Sequence, residues 1–211
     1  MSEECSTIHN WFNGMKRFYF PFNNNEIPLN GIYILFEKGE NAHMGERIVR
    51  IGTHTGQNNL GLRLKEHFIN ENKDRSIFRK NIGRCLLNKN KDPFLKDWEL
   101  TPLIREVRIK NPHINFNKQK EVEKNVTKYM RDNFSFVIFE VIKKEDRLKL
   151  ESKIIFTISN CNECKPSEKW LGLFSPKEKI KESGLWLVNE LYKEQFNKID
   201  LDELKILLKI I

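Results

Sequence analysis

The sequence predicts a small mixed α/β fold, in which three strands are surrounded by helices. Three observations support this prediction. Three short runs are rich in β-branched and aromatic residues, the segments around them have helical periodicity, and no internal repeat is present. The predicted order is strand, strand, helix, helix, insertion, helix, strand, helix. A chain of 211 residues can form one domain and bury its own core.

The first two strands are predicted as an antiparallel pair. The run GIYILF at 31–36 is apolar and β-branched, and RIVRIG at 47–52 ends on a glycine. The ten residues between them, EKGENAHMGE, are typical of a loop or hairpin connection. Strands this close in sequence usually pair. The third strand is FSFVIFEVI at 134–142, which has the strongest strand pattern in the chain.

Helical spacing identifies the remaining elements. Apolar residues recur on one face of LGLRLKEHFI from Leu60 onward, and further helices are expected at 76–87, in EVEKNVTKYMRDNF, in KEDRLKLESKIIFTIS and near 201–210. In the helix after the third strand, Leu148, Ile155 and Ile158 are expected to face inward.

The domain organisation follows from composition. Residues 1–28 form an aromatic lead-in, 29–195 the main domain, and 196–211 a C-terminal helix. Residues from about 88 to 118 are polar, carry three prolines, and are predicted as an insertion with at most short ordered pieces.

The chain is basic, with a net charge of +8 and a sequence pI of about 9.2. A basic surface concentrates polyanions such as nucleic acid. Lys and Asn are abundant throughout, however, so a compositional bias explains the same surplus. Charge alone therefore leaves the partner open.

The four cysteines are Cys5, Cys85, Cys161 and Cys164. A polar, acidic start and no apolar run of about 18 residues predict a cytoplasmic protein with reduced thiols. Cys161 and Cys164 form a single C-x-x-C motif. A zinc site usually needs a second ligand pair at matched spacing, which the sequence does not offer. Two ordinary thiols beside a turn and a structural or redox site both remain open.

Four residues on separate elements suit hydrolysis of a phosphodiester. Tyr33 lies on the first strand, Arg63 and His67 share a helix face because they are four apart, and Glu151 lies on a late helix. A carboxylate can hold Mg²⁺, and an arginine can bind phosphate oxygens in pairs. A phenol has a pKa of about 10, so Tyr33 could act as a base only beside cations.

Each of these residues also has an ordinary structural interpretation. Tyr33 suits a strand core, and Arg63 with His67 suits a solvated helix face. Glu151 suits a surface acid paired with Arg147. Glu151 nevertheless shares the apolar stripe of its helix, where a carboxylate needs a partner.

The ordered series resembles the GIY-YIG nuclease superfamily. Its members would be Gly31-Ile32-Tyr33, then Arg50-Ile51-Gly52, then Arg63 with His67, then Glu151. This likeness covers roughly residues 29–160. The stretches VRIGTHTG, LRLKEHF, SIFRKNIG, SEKWLGLFSP and SGLWLVN also resemble one prokaryotic branch with RIGTH in place of YIG, which extends the likeness to about residue 190.

The resemblance implies a three-stranded antiparallel sheet flanked by helices and hydrolysis of DNA with one divalent cation, Mg²⁺ or Mn²⁺. It assigns Tyr33 as general base or water-positioning residue, Arg63 to the scissile phosphate, and Glu151 to the metal. His67 matches a position often filled by His or Tyr. The late asparagine of the family has no firm match.

Besides the missing asparagine, the chain departs from the family pattern in the second motif, where Arg50 replaces the tyrosine. A guanidinium cannot act as a base, but it could bind phosphate or lower the pKa of Tyr33. His54, four residues on, could take up proton transfer because the intrinsic pKa of histidine is about 6.5; it equally suits a turn residue.

Further contacts to nucleic acid are expected from Lys65, Arg79 and Lys80, although the last two also suit the solvated face of a helix. Trp170 and Trp186 are predicted as core or loop anchors rather than base-stacking platforms. The leading hypothesis is an endonuclease acting on double-stranded DNA, with a homodimer as one route to cutting both strands. The alternatives are a catalytically inactive binding module of the same fold and a ribonuclease.

Overall fold

A single sheet of three strands organises the protein. In the computed structural model, which describes residues 2–191 and 196–210, the strands are β1 (Gly31–Ala42), β2 (Gly45–Gly52) and β3 (Phe134–Glu140). Their order is β2-β1-β3, and both pairings are antiparallel. The predicted α/β fold with an antiparallel sheet is therefore confirmed.

The β1–β2 connection is tighter than the sequence suggested. Strand β1 continues through the segment predicted as a loop or hairpin connection, and Ala42 pairs with Gly45 across a two-residue turn. The turn residues, His43 and Met44, have φ values of 50° and 62°. Both therefore adopt the left-handed conformation that two-residue hairpins need and that glycine or asparagine usually supplies.

Helices surround the sheet. Those described are α1 (Ser2–Asn13), α2 (Leu60–Phe68), α3 (Ile77–Lys89), α4 (Leu95–Glu99), α5 (Arg105–Lys110), α6 (Phe116–Asn133), α7 (Lys144–Ser159), α8 (Glu178–Ser183) and α9 (Lys198–Leu207). Within the described part of the chain, no helix combines the length and hydropathy needed to cross a lipid bilayer.

Alternation along β1 divides the core into two layers. Ile32, Ile34 and Phe36 point to one face and pack with α1 and α7, while Tyr33 and Leu35 point to the other and pack with α2, α3 and α6. Successive side chains of a strand leave on opposite faces, so a strand buried on both sides is apolar throughout.

The N-terminal segment contributes to the core as a helix. Residues 2–13 form α1, on which Cys5, Ile8 and Phe12 are fully buried against the sheet. Their spacing of three and four places them on one helix face. The aromatic residues after α1 also pack inward, since Phe20 stacks on Phe68 with ring centroids 3.8 Å apart.

One expected helix stripe is partly wrong. On α7, Ile155 and Ile158 are buried as expected, but Leu148 is 39% exposed. The buried stripe instead runs through Leu150, Ile154 and Ile158, four residues apart. Glu151 consequently lies at the border between the core and the surface.

The segment at 88–118 contains the two short helices α4 and α5 and is anchored by one tryptophan. Trp98 is fully buried, and its indole N–H donates to the Lys80 carbonyl at 2.9 Å. Gly83 on α3 lies directly beneath this ring, where a Cβ would overlap it.

A buried carboxylate connects β1 to the C-terminal part of the chain. Glu37 accepts the indole N–H groups of Trp170 and Trp186 at 2.8 Å each, and the Tyr129 hydroxyl donates to its other oxygen. Burial raises the pKa of Glu37. Both tryptophans are buried, as expected for core anchors.

Candidate active site

A hydrogen-bonded chain begins at the tyrosine of the first strand. The Tyr33 hydroxyl lies 2.9 Å from His67 Nε2, and His67 Nδ1 lies 2.6 Å from the Ser76 hydroxyl. Burial, followed by the charges of Arg63, Arg50 and Arg79, lowers the pKa of His67 well below its ordinary value. The imidazole is therefore neutral, so it donates at one nitrogen and accepts at the other. It connects Tyr33 to the residue that caps α3.

The tyrosine lies directly against the end of the second strand. Tyr33 pairs with Gly52, and a Cβ at residue 52 would overlap the phenol. Glycine is therefore required by close approach rather than by backbone conformation. The next residue, Thr53, donates its amide N–H to Glu151 at 3.1 Å and its hydroxyl to Gly31 at 2.7 Å. The first strand, the second strand and α7 meet here.

A cavity of about 900 Å³ opens beside this junction. Arg50, Arg63 and Glu151 all line it, together with Asn81 and Glu190. Helix α2 supplies Arg63, strand β2 supplies Arg50, α7 supplies Glu151, and the segment before residue 191 closes one side. Two guanidinium groups and two carboxylates thus face one space large enough for a phosphate group.

The two arginines are held differently. Arg63 is partly exposed and forms an ion pair with Glu66 on its own helix at 2.9 Å. Arg50 is nearly buried, donates to the Trp186 carbonyl at 2.5 Å, and lies 4.8 Å above the Phe78 ring. Arg50 Nε has no hydrogen-bond partner among the described residues. A buried N–H without an acceptor is costly.

Glu151 is poised to change its protonation state near neutral pH. Burial raises its pKa to about 7, and the negative charge of Glu190 adds to this effect. The charges of Arg50 and Arg63 and the Thr53 amide act in the opposite direction but do not outweigh burial. Perturbed carboxyl groups in clefts are typical of functional sites.

Comparison with known families decides the classification. A family model described as GIY-YIG domain matches residues 4–210, which is nearly the whole chain. The chain belongs to the GIY-YIG domain family. No curated protein and no solved structure matches it. Membership indicates a nuclease-type function, because GIY-YIG domains are generally endonucleases.

The GIY-YIG motifs occupy adjacent positions on the sheet. Tyr33 of the first motif pairs with Gly52 of the second, and Arg50 pairs with Leu35. Arg50, which stands where the second motif usually has tyrosine, lines the cavity, whereas Tyr33 is fully buried.

GIY-YIG nucleases typically use a divalent metal, and the residues around Glu151 fit one. The carboxylate has a raised pKa because nearby positive charge does not compensate its burial, which a cation would do. Glu190 brings a second carboxylate to the same cavity. Magnesium needs only one or two protein carboxylates, because it retains several waters and also binds phosphate oxygens.

His54 lies at the turn after β2 and is bound to backbone on both sides. Its Nε2 accepts from the Gly31 amide at 3.4 Å, so Nδ1 carries the proton that is donated to the Gly56 carbonyl at 2.6 Å. Burial lowers the pKa of His54. The ring lies on a smaller cavity of about 380 Å³ that it shares with Arg63.

The structure places two of the expected nucleic-acid contacts in the interior. Arg79 is fully buried, and its guanidinium binds Glu123 at 2.6 and 2.9 Å. Lys80 is nearly buried and donates to the Glu99 carbonyl at 2.5 Å. Both residues hold α3 to its neighbours rather than presenting charge to a ligand. Lys65 is half-buried on the same helix as Arg63.

Glu190 and Asn81 are polar cavity residues that were not anticipated from the sequence. Glu190 follows a turn-rich segment without periodicity, and Asn81 lies on α3 among residues predicted only as helix. The hydrophobic run LWLV before residue 189 was the available signal that this segment packs against the domain. It did not indicate which side chains would face the cavity.

Proposed function

We propose that this GIY-YIG domain is a metal-dependent endonuclease that hydrolyses phosphodiester bonds in double-stranded DNA. The observation that carries the proposal is the convergence of Arg50, Arg63 and Glu151 on one cavity beside the paired GIY and RIG motifs. Cationic donors stabilise the charge of a phosphoryl transition state, and a carboxylate supplies the ligand for a hard cation. The basic net charge of +8 favours capture of a polyanion.

Glu151 would hold one Mg²⁺ or Mn²⁺, with Glu190 close to the same position. When bound, such an ion polarises the phosphate and stabilises the leaving oxygen. The Thr53 amide fixes one Glu151 oxygen at 3.1 Å, which leaves the other oxygen for the ion.

The two arginines would bind the phosphate. Arg63 can exchange its half-buried Glu66 partner for phosphate at modest cost, because ion pairs within reach of solvent contribute about 1 kcal/mol or less. Arg50 lines the same cavity and is oriented by the Trp186 carbonyl. Arginine suits this role because its planar donor groups match the oxygens of a phosphate.

Tyr33 and His67 would position the proton-transfer machinery. The neutral His67 fixes the orientation of the phenol through a 2.9 Å hydrogen bond. A direct contact between Tyr33 and the attacking water requires the buried hydroxyl to become accessible when DNA binds. His54 would contribute to proton transfer only after release of its bonds to Gly56 and Gly31.

The burial of Tyr33 and the replacement of the motif tyrosine by Arg50 favour one alternative, a binding module without catalysis. Such a module would use the same cavity to hold a phosphate. It would bind DNA with the same dependence on Arg50 and Arg63 but would leave the backbone intact.

The test is incubation of the full chain with supercoiled plasmid and with RNA of matched length, in the presence of Mg²⁺ or Mn²⁺. We expect nicked DNA with metal and none without it. Glu151→Gln should lower the cleavage rate about a thousandfold, because a bound cation supplies several kcal/mol of stabilisation. Glu145→Gln alters an exposed glutamate on the same helix and should have no effect.

The outcomes separate the candidates. Binding of DNA without cleavage under either metal would establish the binding module. Preferential cleavage of RNA would identify a ribonuclease. Undiminished cleavage by Glu151→Gln would refute the proposed metal ligand.

A further inference from the structure

Three thiols and one imidazole meet beside the β1–β2 turn, at the end of β1 far from the GIY motif. Cys5 comes from α1, His43 from the β1–β2 turn, and Cys161 and Cys164 from the segment that follows α7. The ligand atoms of all four lie within 4.8 Å of one another. The three cysteines are at most 3% exposed, and the His43 side chain is 2% exposed.

The distances match the edges of a small tetrahedron. Cys5 Sγ lies 3.4 Å from Cys164 Sγ, and His43 Nε2 lies 3.4 Å from Cys161 Sγ and 3.3 Å from Cys164 Sγ. Zinc binds sulfur at about 2.3 Å and nitrogen at about 2.0 Å, so tetrahedral ligands lie about 3.5–3.8 Å apart. The three distances are slightly shorter than those around zinc, and the remaining pairs of ligand atoms lie within 4.8 Å, so small side-chain adjustments would accommodate the ion.

The surroundings of His43 support a ligand role. Its Nε2 points to the thiols, while Nδ1 lies 3.4 Å from the Glu163 carboxylate. A zinc-bound histidine usually donates its other N–H to such a carboxylate, which fixes the tautomer and the ring orientation. The nearby His9 is committed elsewhere, because its Nδ1 donates to the Cys5 carbonyl at 3.0 Å and its Nε2 accepts from the Ile48 amide at 3.2 Å.

The backbone of the turn is a second, independent observation. His43 and Met44 both have positive φ at a position where glycine or asparagine is the usual choice. A non-glycine residue held in this conformation is strained, and such strain is concentrated at functional sites. At residue 43 the strain places an imidazole against the thiols, which a glycine could not supply.

We propose that Cys5, His43, Cys161 and Cys164 bind one Zn²⁺ as a structural site. Four protein ligands close the coordination sphere, and soft thiolates with an imidazole select zinc rather than the hard cation expected at Glu151. The ion would fasten α1 and the hairpin turn to the end of α7, the helix that carries Glu151. This inference is independent of the nuclease proposal, since it holds equally for a binding module.

The experiment measures metal content in the full chain purified without chelator. We expect about one zinc ion per chain by elemental analysis. Cys161→Ser and His43→Ala should lose the metal. Cys85→Ser removes a buried thiol outside the cluster and should retain it, as should Glu151→Gln.

A second measurement does not depend on the folding of any variant. Replacement of the metal in the wild-type chain by Co²⁺ should produce the visible absorption bands and thiolate charge-transfer bands of a tetrahedral Cys₃His site. Removal of zinc by a chelator should lower the midpoint temperature of unfolding, and added Zn²⁺ should restore it.

The proposal would be overturned if the wild-type chain contained no zinc and took up neither Zn²⁺ nor Co²⁺. Full zinc content in both Cys161→Ser and His43→Ala would also overturn it. So would a disulfide between Cys5 and Cys164 in protein that was purified in the presence of a reducing agent.

Discussion

Replacement of Glu151 by glutamine should stabilise the protein at alkaline pH and leave it unchanged at acidic pH. Burial raises the pKa of this carboxyl from its ordinary 4.5 to about 7. Since one pKa unit corresponds to about 1.4 kcal/mol, ionisation in the folded protein costs about 3 kcal/mol. Glutamine has nearly the same shape and can still accept the Thr53 amide, so it removes the charge without removing the contact.

The sign follows from the direction of the shift. Because the folded pKa is higher than the unfolded one, the protonated carboxyl favours the folded state fully below about pH 4.5. That stability is lost between about pH 4.5 and 7, and above about pH 7 the ionised group gives none of it. The free energy of unfolding of the wild-type chain should therefore be about 3 kcal/mol lower than that of Glu151→Gln at pH 8–9. Near pH 4 the two free energies of unfolding should be equal.

The assay is urea unfolding of both proteins at several pH values without added Mg²⁺ or Mn²⁺. Glu145→Gln serves as the control and should follow the wild type throughout. A difference between wild type and Glu151→Gln that does not change with pH would refute the reasoning. Saturating Mg²⁺ should selectively raise the wild-type stability, because it binds only the ionised carboxylate.

Three further predictions concern packing, a buried ion pair and phosphate binding. Gly52→Ala should lower the free energy of unfolding in urea by about 1–3 kcal/mol, since the added methyl group would overlap the phenol of Tyr33. The control Gly61→Ala has open space on α2 and should be neutral or slightly stabilising. Glu123→Gln should lower the free energy of unfolding by about 3–5 kcal/mol in the same assay, because the buried charge of Arg79 would lose its carboxylate partner. A loss below about 1 kcal/mol would contradict this prediction. Arg63→Lys should reduce plasmid cleavage at least about tenfold, because lysine cannot form paired bonds to a phosphate, and a full cleavage rate would exclude Arg63 from phosphate binding.

Local sequence patterns were sufficient for the sheet and for most of the larger helices. The runs at 31–36, 47–52 and 134–142 are rich in β-branched or aromatic residues and have lengths that suit strands. Each forms a strand of the sheet, although the third strand ends at Glu140. The helical spacing at Leu60, Leu64 and Phe68 predicted the buried face of α2. These patterns depend on neighbours in sequence, so they could be recognised without tertiary information.

Features that depend on distant contacts could not be predicted in this way. Arg79 has the composition of a solvated helix residue, and its burial follows from Glu123, 44 positions away. Likewise, no partner for the C-x-x-C motif could be identified from the sequence, because Cys5 and His43 are far from it along the chain. Short helices such as α4 and α5 have too few residues for a periodic pattern.

The family resemblance supplied the site residues that spacing alone could not. Tyr33, Arg63 and Glu151 were identified together as an ordered series. The structure brings Arg63 and Glu151 onto one cavity, whereas Tyr33 is fully buried and is not among the residues that line it. Their catalytic roles remain predictions for the cleavage experiments.

The carboxylate of Glu37 determines how far the protein can be shortened. Its indole donors come from residues 170 and 186, and the Trp186 backbone also binds β2 through both its amide and its carbonyl. A fragment ending after α7 would retain every GIY-YIG motif residue. It would nevertheless leave the buried Glu37 without its two indole donors and open one wall of the cavity that Arg50, Arg63 and Glu151 line. The smallest autonomous unit of this nuclease-type domain therefore extends well past its last recognisable motif.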